Sequence, residues 1–277
     1  MSDGLNGAAV MDYAKAGVHA KKGYFFTPQG IVCLGTGITS EEPDRVLTTL
    51  NQCRLKSDIS VLRQGKVESV PGGHLEASDI QAVHHESVAY VMIEGALLEI
   101  HGVQQTGSWR LVEAGASDEP VPEDVFTCFI DHGAKPTQGS YAYMMVPGAS
   151  KEDLSGLSAH PPVDILANTP ECQAIAVSSE SLAQAIFHSP GSLDLPSGGH
   201  LGVDAASAVQ LQTVGDGEVL TVADPTQELR QLTVTIDGRW KGRGASYVPS
   251  DHTTHIVVLL PEGAYAGQSV SVHLARP

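Results

Sequence analysis

Apolar and polar residues alternate along most of the chain, and this two-residue period predicts β-strands rather than helices. The alternating runs are rich in β-branched, aromatic and aliphatic residues, and Gly, Pro, Asp and Ser separate them. Many short strands joined by turns predict an antiparallel sandwich. The predicted strands are 23–26, 31–35, 46–56, 88–93, 96–101, 108–113, 125–131, 140–146, 163–166, 173–178, 184–188, 207–213, 218–223, 229–236, 255–260 and 269–274.

Three segments depart from the alternation. Residues 2–20 contain Ala and Lys with weak periodicity, which predicts an irregular segment or a frayed helix. The stretch that begins at Ser150 predicts a short capped turn, because Asp153 follows three residues later as in a capping box. The Gly- and acid-rich stretch 64–80 predicts a long surface loop.

A chain of 277 residues is long enough for one large all-β domain or two smaller ones, with a sizeable core. Its hydrophobic share of 42% is ordinary for a globular protein and argues against disorder. A break in composition at 189–202, rich in Ser, Gly and Pro, predicts a connection between two β units. We therefore expect one domain over 1–195 and a second over 196–277.

The net charge is −16, from 16 basic and 32 acidic side chains. So acidic a chain repels polyanions, and we expect neither nucleic acid nor an anionic membrane surface as a partner. No run of 18 apolar residues occurs, so the sequence predicts no transmembrane helix. The first residues, MSDGLNGAAVMDY, lack the basic and apolar regions of a signal peptide, and we expect none there.

The four cysteines are Cys33, Cys53, Cys128 and Cys172, and no two of them form a CxxC pair. No Cys/His cluster has the spacing of a zinc site. Cys33 and Cys128 stand inside apolar, strand-like runs, which predicts buried thiols rather than disulfides. The sequence leaves the disulfide state of the four cysteines open.

Six short stretches, in a fixed order, carry a more specific signal. They are 11–56, with its turn at Pro28-Gln29-Gly30 and its LGTGI sequence; TGSW at 106–109; DHG at 131–133; YAYMMVP at 141–147; ILANT followed by QA at 165–174; and DPTQ at 224–227. Together they cover nearly the whole chain. In this order and at this spacing they resemble the β-domains of polysaccharide lyase family 8, which contains the hyaluronate, chondroitin and xanthan lyases.

The resemblance implies an all-β architecture, a large antiparallel supersandwich over 1–195 followed by a smaller C-terminal β-sandwich over 196–277. It also implies β-elimination of uronic-acid polysaccharides such as hyaluronan or chondroitin. In this family an Asn, His, Tyr and Arg set on a helical N-terminal domain performs that chemistry. None of the motifs of this chain lies in that domain, so we expect no catalytic residue here.

The remaining implications of the resemblance concern role and partners. We expect the chain to be structural and to line one side of a cleft, meeting an acidic polysaccharide through a missing or separate helical domain. We expect an extracellular or periplasmic location. No cofactor is expected, and the sequence has no phosphate-binding Gly-rich loop of either standard pattern.

Simple physical arguments give the motif residues structural roles. Gly107 and Gly133 stand where turns favour a positive φ angle. Trp109 is a large apolar side chain that we expect to close one end of a sandwich. Tyr141 and Tyr143 share one face of their predicted strand because side chains alternate between the two faces.

Histidine pairs do not predict a metal site. His84 and His85 are adjacent on a predicted strand, so their side chains point to opposite faces and cannot chelate one ion together. Asp131 and His132 resemble a carboxylate–imidazole pair, but no Ser or Cys nucleophile accompanies them. We therefore expect no metal centre and no nucleophilic catalysis.

Five residues are candidates for contact with a saccharide or with another domain. The basic stretch RWKGR places a tryptophan between positive charges, a combination suited to an acidic sugar. The candidates are Trp109, His132, Arg239, Trp240 and Arg243.

Two other functions remain open. The chain is alternatively a stand-alone carbohydrate-binding or accessory protein that pairs with a separately encoded helical chain. Another alternative is a sugar epimerase or mutarotase on the same fold, which needs a histidine and a carboxylate converging in a cleft. The sequence does not name the polysaccharide.

Overall fold

The computed structural model describes residues 1–277, with only the backbone of Pro71 described. Strands account for 59% of the residues and helices for 7%, which confirms the predicted all-β class. The strand pairings are antiparallel, for example between Gly7–Lys15 and Val18–Thr27. The chain divides into two compact units, with residues 1–38 and 161–277 in unit 1 and residues 39–160 in unit 2.

The strands and the helix are numbered in chain order. The first half contains β1 (Gly7–Lys15), β2 (Val18–Thr27), β3 (Gly30–Ser40), β4 (Arg45–Arg54), β5 (Ser60–Arg63), β6 (Lys66–Ser69), β7 (His74–Ala77), β8 (Ile80–His85), β9 (Val88–Met92), β10 (Leu98–Gly107), β11 (Val121–Ala134), β12 (Gly139–Pro147) and α1 (Leu154–Ala159). The second half contains β13 (Asp164–Asn168), β14 (Cys172–Val177), β15 (Leu182–Phe187), β16 (Gly191–Asp194), β17 (His200–Val203), β18 (Ser207–Val214), β19 (Gly217–Ala223), β20 (Gln231–Asp237), β21 (Lys241–Gly242), β22 (Ala245–Val248), β23 (Thr253–Leu259) and β24 (Val270–Ala275).

Unit 2 contains two layers of strands, in the orders β12-β9-β8-β5-β6 and β4-β11-β10-β7. Buried and exposed positions alternate along the first six residues of β4, as expected of a strand with one face in a core. Phe126 on β11 is fully buried between the layers. Its ring stacks on His85 of β8 with centroids 4.4 Å apart and lies 6.4 Å from Tyr90 of β9. These aromatic contacts join the two layers.

The predicted capped turn after β12 is confirmed. The Ser150 backbone N–H donates to Asp153 Oδ2 at 2.8 Å, and the Ser150 hydroxyl donates to the same oxygen. These hydrogen bonds lower the pKa of Asp153. The turn leads into α1, where Leu154 is fully buried and packs with Leu62 and Val91 of unit 2.

Unit 1 contains the β1-β2-β3 strands and two larger layers. The layers have the strand orders β13-β14-β15-β18-β19-β24-β21 and β16-β17-β20-β23-β22. One hydrophobic core lies between them and draws residues from both, including Val209, Leu220, Val234 and Ile256. In β20, Leu232, Val234 and Ile236 alternate with the threonines Thr233 and Thr235, and this alternation places the three apolar residues on the buried face.

The prediction for residues 2–20 was wrong, because β1 and the first three residues of β2 occupy most of this segment. Ala16 and Gly17 connect these strands, with φ angles of 52° and 73°. Two positive φ angles define the hairpin turn that matches the twist of paired strands. Ala and Lys are weak strand formers, so pairing with β2 overrides their local preference.

Three more predictions need correction. Residues 108–113, predicted as a strand, form a 3₁₀ turn at Trp109–Leu111. The predicted loop 64–80 contains β6 and β7, which lie at the edges of their layers. The predicted connection 189–202 contains β16 and the start of β17, which pair as a hairpin. The domain boundary between 195 and 196 stays a prediction.

The other predicted strands each overlap a strand of the structure, and several motif residues behave as expected. Tyr141 and Tyr143 lie on one face of β12 with ring centroids 5.7 Å apart, and both are buried. Gly133 has a φ of 74°, as predicted. Gly107 is the last residue of β10 and lacks the positive φ predicted for it.

The cysteine prediction is confirmed for the buried positions. Cys33 and Cys128 are fully buried in β3 and β11. Cys53, Cys128 and Cys172 are free thiols. Burial raises the pKa of Cys128 to about 12 and that of Cys172 to about 11, so both thiols are protonated and unreactive at neutral pH.

Candidate functional site

Three of the five predicted contact residues lie together in unit 1, in the segment between β20 and β22. The Trp240 indole N–H donates to the Asp237 carbonyl at 2.9 Å, and its backbone N–H donates to Thr254 Oγ1 at 3.1 Å. The Thr254 hydroxyl, fully buried, in turn donates to the Gly238 carbonyl at 2.7 Å. These bonds fix the orientation of the half-buried Trp240 ring.

Two arginines lie against aromatic rings in the same region. The Arg276 guanidinium is 5.1 Å from the Trp240 ring centroid, and the Arg239 guanidinium is 5.5 Å from the Tyr247 centroid. Both distances fall within the range of cation–π contact. Arg243 is exposed on the tight turn between β21 and β22. We call Arg239, Trp240, Arg243, Tyr247 and Arg276 the arginine–tryptophan surface.

The arginine–tryptophan surface has the chemistry of a site for an acidic sugar. Guanidinium groups match carboxylate and sulfate groups in geometry and charge. An aromatic ring with a fixed orientation offers an apolar face to a sugar ring. These local positive charges stand out in a chain whose net charge is −16.

The other two predicted contact residues, Trp109 and His132, belong to unit 2. Trp109 is 64% exposed, so the expectation that it closes one end of a sandwich was wrong. It lies in the short 3₁₀ turn with Leu111 and Val112, which are also exposed. The Ser108 hydroxyl donates to Asp118 Oδ1 at 3.1 Å beside it.

His132 is half-buried, with its Nε2 atom 2.9 Å from Thr48 Oγ1 and its ring 6.2 Å from that of Tyr141. The neighbouring Asp131 carboxylate accepts the Gly133 backbone N–H at 2.8 Å and lies 3.4 Å from Arg45 Nε. The structure therefore places His132 against Thr48, and Asp131 against Arg45 and the Gly133 backbone.

Sequence reasoning missed a row of charged side chains on the β4-β11-β10-β7 layer of unit 2. The Glu99 carboxylate accepts hydrogen bonds from Arg45 and, at 2.9 Å, from His101 Nε2. Burial alone would raise the pKa of Glu99, but these two partners hold it below its usual value. His101 Nδ1 lies 3.2 Å from His74 Nδ1. Arg45 and Glu99 are 54 positions apart in the sequence, so no local pattern reveals their contact.

A buried polar cluster between the layers of unit 2 was also missed. The Asn51 amide donates to the Tyr90 hydroxyl at 2.6 Å, and Cys53 Sγ lies 3.7 Å from His85 Nδ1. Burial raises the pKa of Tyr90 to about 12. Burial, with the Glu86 charge, also raises the pKa of Cys53, which favours the protonated thiol.

His84 and His85, the densest histidine pair of the sequence, have different surroundings. His84 Nε2 lies 3.1 Å from the Ala149 carbonyl, whereas His85 stacks on Phe126. Across the described residues, no group of three or more His, Cys, Asp and Glu side chains converges in a way that could hold a metal ion.

One cavity of unit 1 brings a histidine and a carboxylate together. It measures about 230 Å³ and is lined by Asp12, Lys21 and His188. Asp12 and Lys21 form an ion pair. His188 Nε2 lies 3.2 Å from Gln173 Oε1, and burial lowers the pKa of His188, so the imidazole is neutral at pH 7. The cavity thus contains the two residue types that the epimerase alternative requires, with the carboxylate paired to Lys21 and the imidazole bonded to Gln173.

Comparison with known proteins identifies the family of the chain. The model of the polysaccharide lyase family 8 super-sandwich domain matches residues 1–158. The model of that family's C-terminal β-sandwich domain matches residues 164–233. The two matches confirm the predicted order of a larger β domain followed by a smaller C-terminal sandwich.

Individual relatives agree with the family models. The chain is 30% identical over 273 residues to chondroitinase AC of Pedobacter heparinus, covering 98% of this chain and 37% of that protein. It is 30% identical over 245 residues to a hyaluronate lyase of Thermasporomyces composti, covering 87% of this chain and 30% of that one. A solved structure of chondroitinase AC lyase superposes with a TM-score of 0.86 at 29% identity, covering 98% of this chain and 38% of that one.

The chain thus spans between 30% and 38% of the length of these relatives. Within the described part of the chain, no helix has the length and apolar character that crossing a membrane requires.

Proposed function

This chain belongs to polysaccharide lyase family 8, and on that basis we propose that it is the β-sheet part of a lyase that cleaves uronic-acid polysaccharides such as hyaluronan or chondroitin. The observation that carries the proposal is the 30% identity to chondroitinase AC over 98% of the chain. The role we assign to these 277 residues is to support a helical domain and to line one side of its cleft.

The chemistry of β-elimination explains why we place catalysis outside these residues. The reaction needs a base at the proton α to the uronate carboxyl, a donor that neutralises that carboxyl, and an acid for the leaving oxygen. Tyr141, whose ring lies 6.2 Å from that of His132, and its neighbour Tyr143 are 2% and 4% exposed. Because Tyr141 and Tyr143 are buried, a polysaccharide in solution cannot reach them. This burial supports a structural role for the two tyrosines.

We further propose that the arginine–tryptophan surface contacts the polysaccharide. Trp240 provides an oriented ring with Arg276 against it. Arg239, which lies over Tyr247, and Arg243 are close to Trp240 in sequence and add positive charge. An extended acidic polymer can reach such a surface from solution. The same surface supports the second candidate function, a carbohydrate-binding accessory protein.

A product assay tests the proposed role. The purified 277-residue chain is incubated with hyaluronan, chondroitin and xanthan, and the absorbance of unsaturated products is followed. We expect no product from the chain alone, and normal turnover from Pedobacter heparinus chondroitinase AC on chondroitin as the positive control. Steady turnover by the isolated chain would contradict the assignment of catalysis to a separate domain.

Binding and activity together separate the candidate functions. A chain that binds oligosaccharides and gains activity with a separately supplied helical domain of a related lyase fits the lyase proposal. A chain that binds oligosaccharides and gains nothing from that domain fits the accessory function. Interconversion of sugar anomers or epimers that is lost in His188→Gln fits the epimerase or mutarotase alternative.

We propose an extracellular or periplasmic location because polymers such as hyaluronan and chondroitin do not cross a cell membrane intact. Fractionation of the producing cells with an antibody against this chain tests it. Recovery of the protein in the cytoplasmic fraction alone would contradict the proposal.

A further inference from the structure

Two histidines of unit 2, His74 and His101, are in hydrogen-bond contact at the solvent face of their layer. His74 on β7 and His101 on β10 are directly opposite each other in the antiparallel register. Directly opposed side chains in such a pair have Cβ atoms about 4.5–5.5 Å apart, close enough for two imidazoles to meet. The two Nδ1 atoms face each other at 3.2 Å.

We propose that His74 and His101 form a two-histidine binding site for Zn²⁺. Zinc binds imidazole nitrogen at about 2.0–2.1 Å in tetrahedral geometry, and two such ligands are about 3.3 Å apart. The observed separation of 3.2 Å matches that ligand-to-ligand distance. In the metal-free chain the two nitrogens share a hydrogen bond, in which His74 Nδ1–H donates to His101 Nδ1. Zn²⁺ displaces this proton, since a ligating imidazole nitrogen must be deprotonated, and both Nδ1 lone pairs then converge on the ion without a large movement of either ring.

The surroundings of His101 favour the same assignment. Its Nε2 atom is 2.9 Å from Glu99 Oε1, and a carboxylate accepts hydrogen bonds, so Nε2 carries the proton. This leaves the lone pair on Nδ1, the atom that faces His74. Glu99 is itself held by Arg45. A carboxylate behind a ligating imidazole is the usual second layer of a zinc site, where it orients the ring and raises its basicity.

The backbone holds His74 in place beside His101. Gly73 has a φ of 70°, and a Cβ atom at this position would lie 2.3 Å from the Gly102 carbonyl oxygen. The backbone segments at Gly73 and Gly102 can approach this closely only because Gly73 has no side chain. The ring of His101 also lies 5.6 Å from that of Phe129, which limits its rotation.

Two features define the coordination. His74 is exposed and the side chain of His101 is 26% exposed, so an ion reaches the site from solution. Because no third His, Cys, Asp or Glu of the described residues converges here, water completes the coordination shell. Zinc then joins β7 to β10 from outside the core. The site does not include His84 and His85, the two histidines that are adjacent in the sequence.

Calorimetric titration of the metal-free 277-residue chain with ZnCl₂ tests the proposal. We expect one Zn²⁺ per chain, and at least a tenfold loss of affinity in each of His74→Ala and His101→Ala. Glu99→Gln should weaken binding by about tenfold or more while both ligands remain, because Glu99 positions His101. The matched control is His200→Ala, which removes an exposed histidine paired with Asp194 in unit 1 at 2.6 Å.

The outcomes separate a built site from general surface binding. Unchanged zinc affinity in both His74→Ala and His101→Ala would overturn the proposal, and so would an equal loss in His200→Ala. Absence of zinc binding up to millimolar concentrations would overturn it as well. Far-UV circular dichroism of each variant confirms the fold, and we expect no change because both histidines lie at the solvent face of the layer.

Discussion

The Asp224 carboxylate accepts the Leu229 backbone N–H at 2.7 Å across the turn that follows β19. The same oxygen accepts the Glu228 N–H at 2.7 Å, and the other oxygen accepts the N–H and hydroxyl of Thr226. Asp224 is only 2% exposed. One buried carboxylate thus organises the DPTQ turn and the path of the chain into β20.

Asp224→Asn should destabilise unit 1 by about 1.5–3 kcal/mol, the range for hydrogen bonds to a charged group. The amide nitrogen of Asn cannot accept the N–H groups that one carboxylate oxygen now accepts. Urea denaturation measures the change in the free energy of unfolding. Asp251→Asn is the control, because Asp251 is exposed and accepts its hydrogen bonds from Thr253 at the surface, and we expect little change there.

The stability supplied by Asp224 should depend on pH. Burial alone would raise the pKa of this carboxyl, but its hydrogen bonds hold the pKa below the usual value. A carboxyl whose folded pKa is lowered stabilises the fold above its unfolded pKa of about 3.9, and the contribution is lost as pH falls through the folded pKa. The difference between the parent chain and Asp224→Asn should be full at pH 7 and shrink below pH 4. A difference that stays constant down to pH 2 would contradict this account.

Gly73→Ala should destabilise unit 2 by about 2–3 kcal/mol, because the new Cβ meets the Gly102 carbonyl and the φ of 70° is unfavourable for Ala. Gly72→Ala is the matched control. Gly72 has a similar φ of 62°, but a Cβ there has nothing within 4 Å, so only the backbone cost of about 1 kcal/mol remains. Equal losses of stability in the two variants would show that the contact between the new Cβ and the Gly102 carbonyl does not contribute to the destabilisation.

Tryptophan fluorescence can separate the two proposed saccharide contacts, because the chain contains only Trp109 and Trp240. In Trp109→Phe the signal comes from Trp240 alone, and in Trp240→Phe from Trp109 alone. Titration with hyaluronan or chondroitin oligosaccharides should change the Trp240 signal. Arg243→Ala should weaken that binding by roughly tenfold, the worth of one charge-assisted hydrogen bond. A Trp240 signal that saccharide leaves unchanged would exclude this surface as the contact.

Phe126→Leu should lower the stability of unit 2 by about 1–2 kcal/mol, because each buried methylene-sized group contributes roughly 0.8 kcal/mol. The larger change Phe126→Ala should cost about 3–5 kcal/mol. Phe26→Leu is the control, since Phe26 is 42% exposed, and we expect only a small effect. Urea denaturation followed by circular dichroism measures all three. Equal effects at the two positions would show that Phe126 does not join the layers.

Local signals predicted much of the fold. The Ser150–Asp153 cap was found because a capping box needs only two residues at a fixed spacing. The faces of Tyr141 and Tyr143 followed from the strand period alone. β1 was missed because its Ala and Lys residues carry no strand signal, and its pairing with β2 decides its conformation.

The candidate sites were less predictable than the strands. Arg239, Trp240 and Arg243 are close in sequence, so their proximity was visible, whereas the contribution of Arg276 was not. Trp109 was expected to close one end of a sandwich and instead lies exposed, because the apolar character of a side chain does not determine whether it faces the core or solvent. The pair formed by His74 and His101 depends on the register of β7 against β10.

By itself, the sequence determined the all-β class, the family, and the positions of most strands, because period-two patterning and short motifs are local properties of the chain. The tertiary structure decided which strands lie side by side and therefore which distant side chains meet, such as Glu99 with Arg45 and His101 with His74. The physical reason is that register and layer packing arise from the summed burial and hydrogen bonding of whole sheets. No single segment of sequence contains that information.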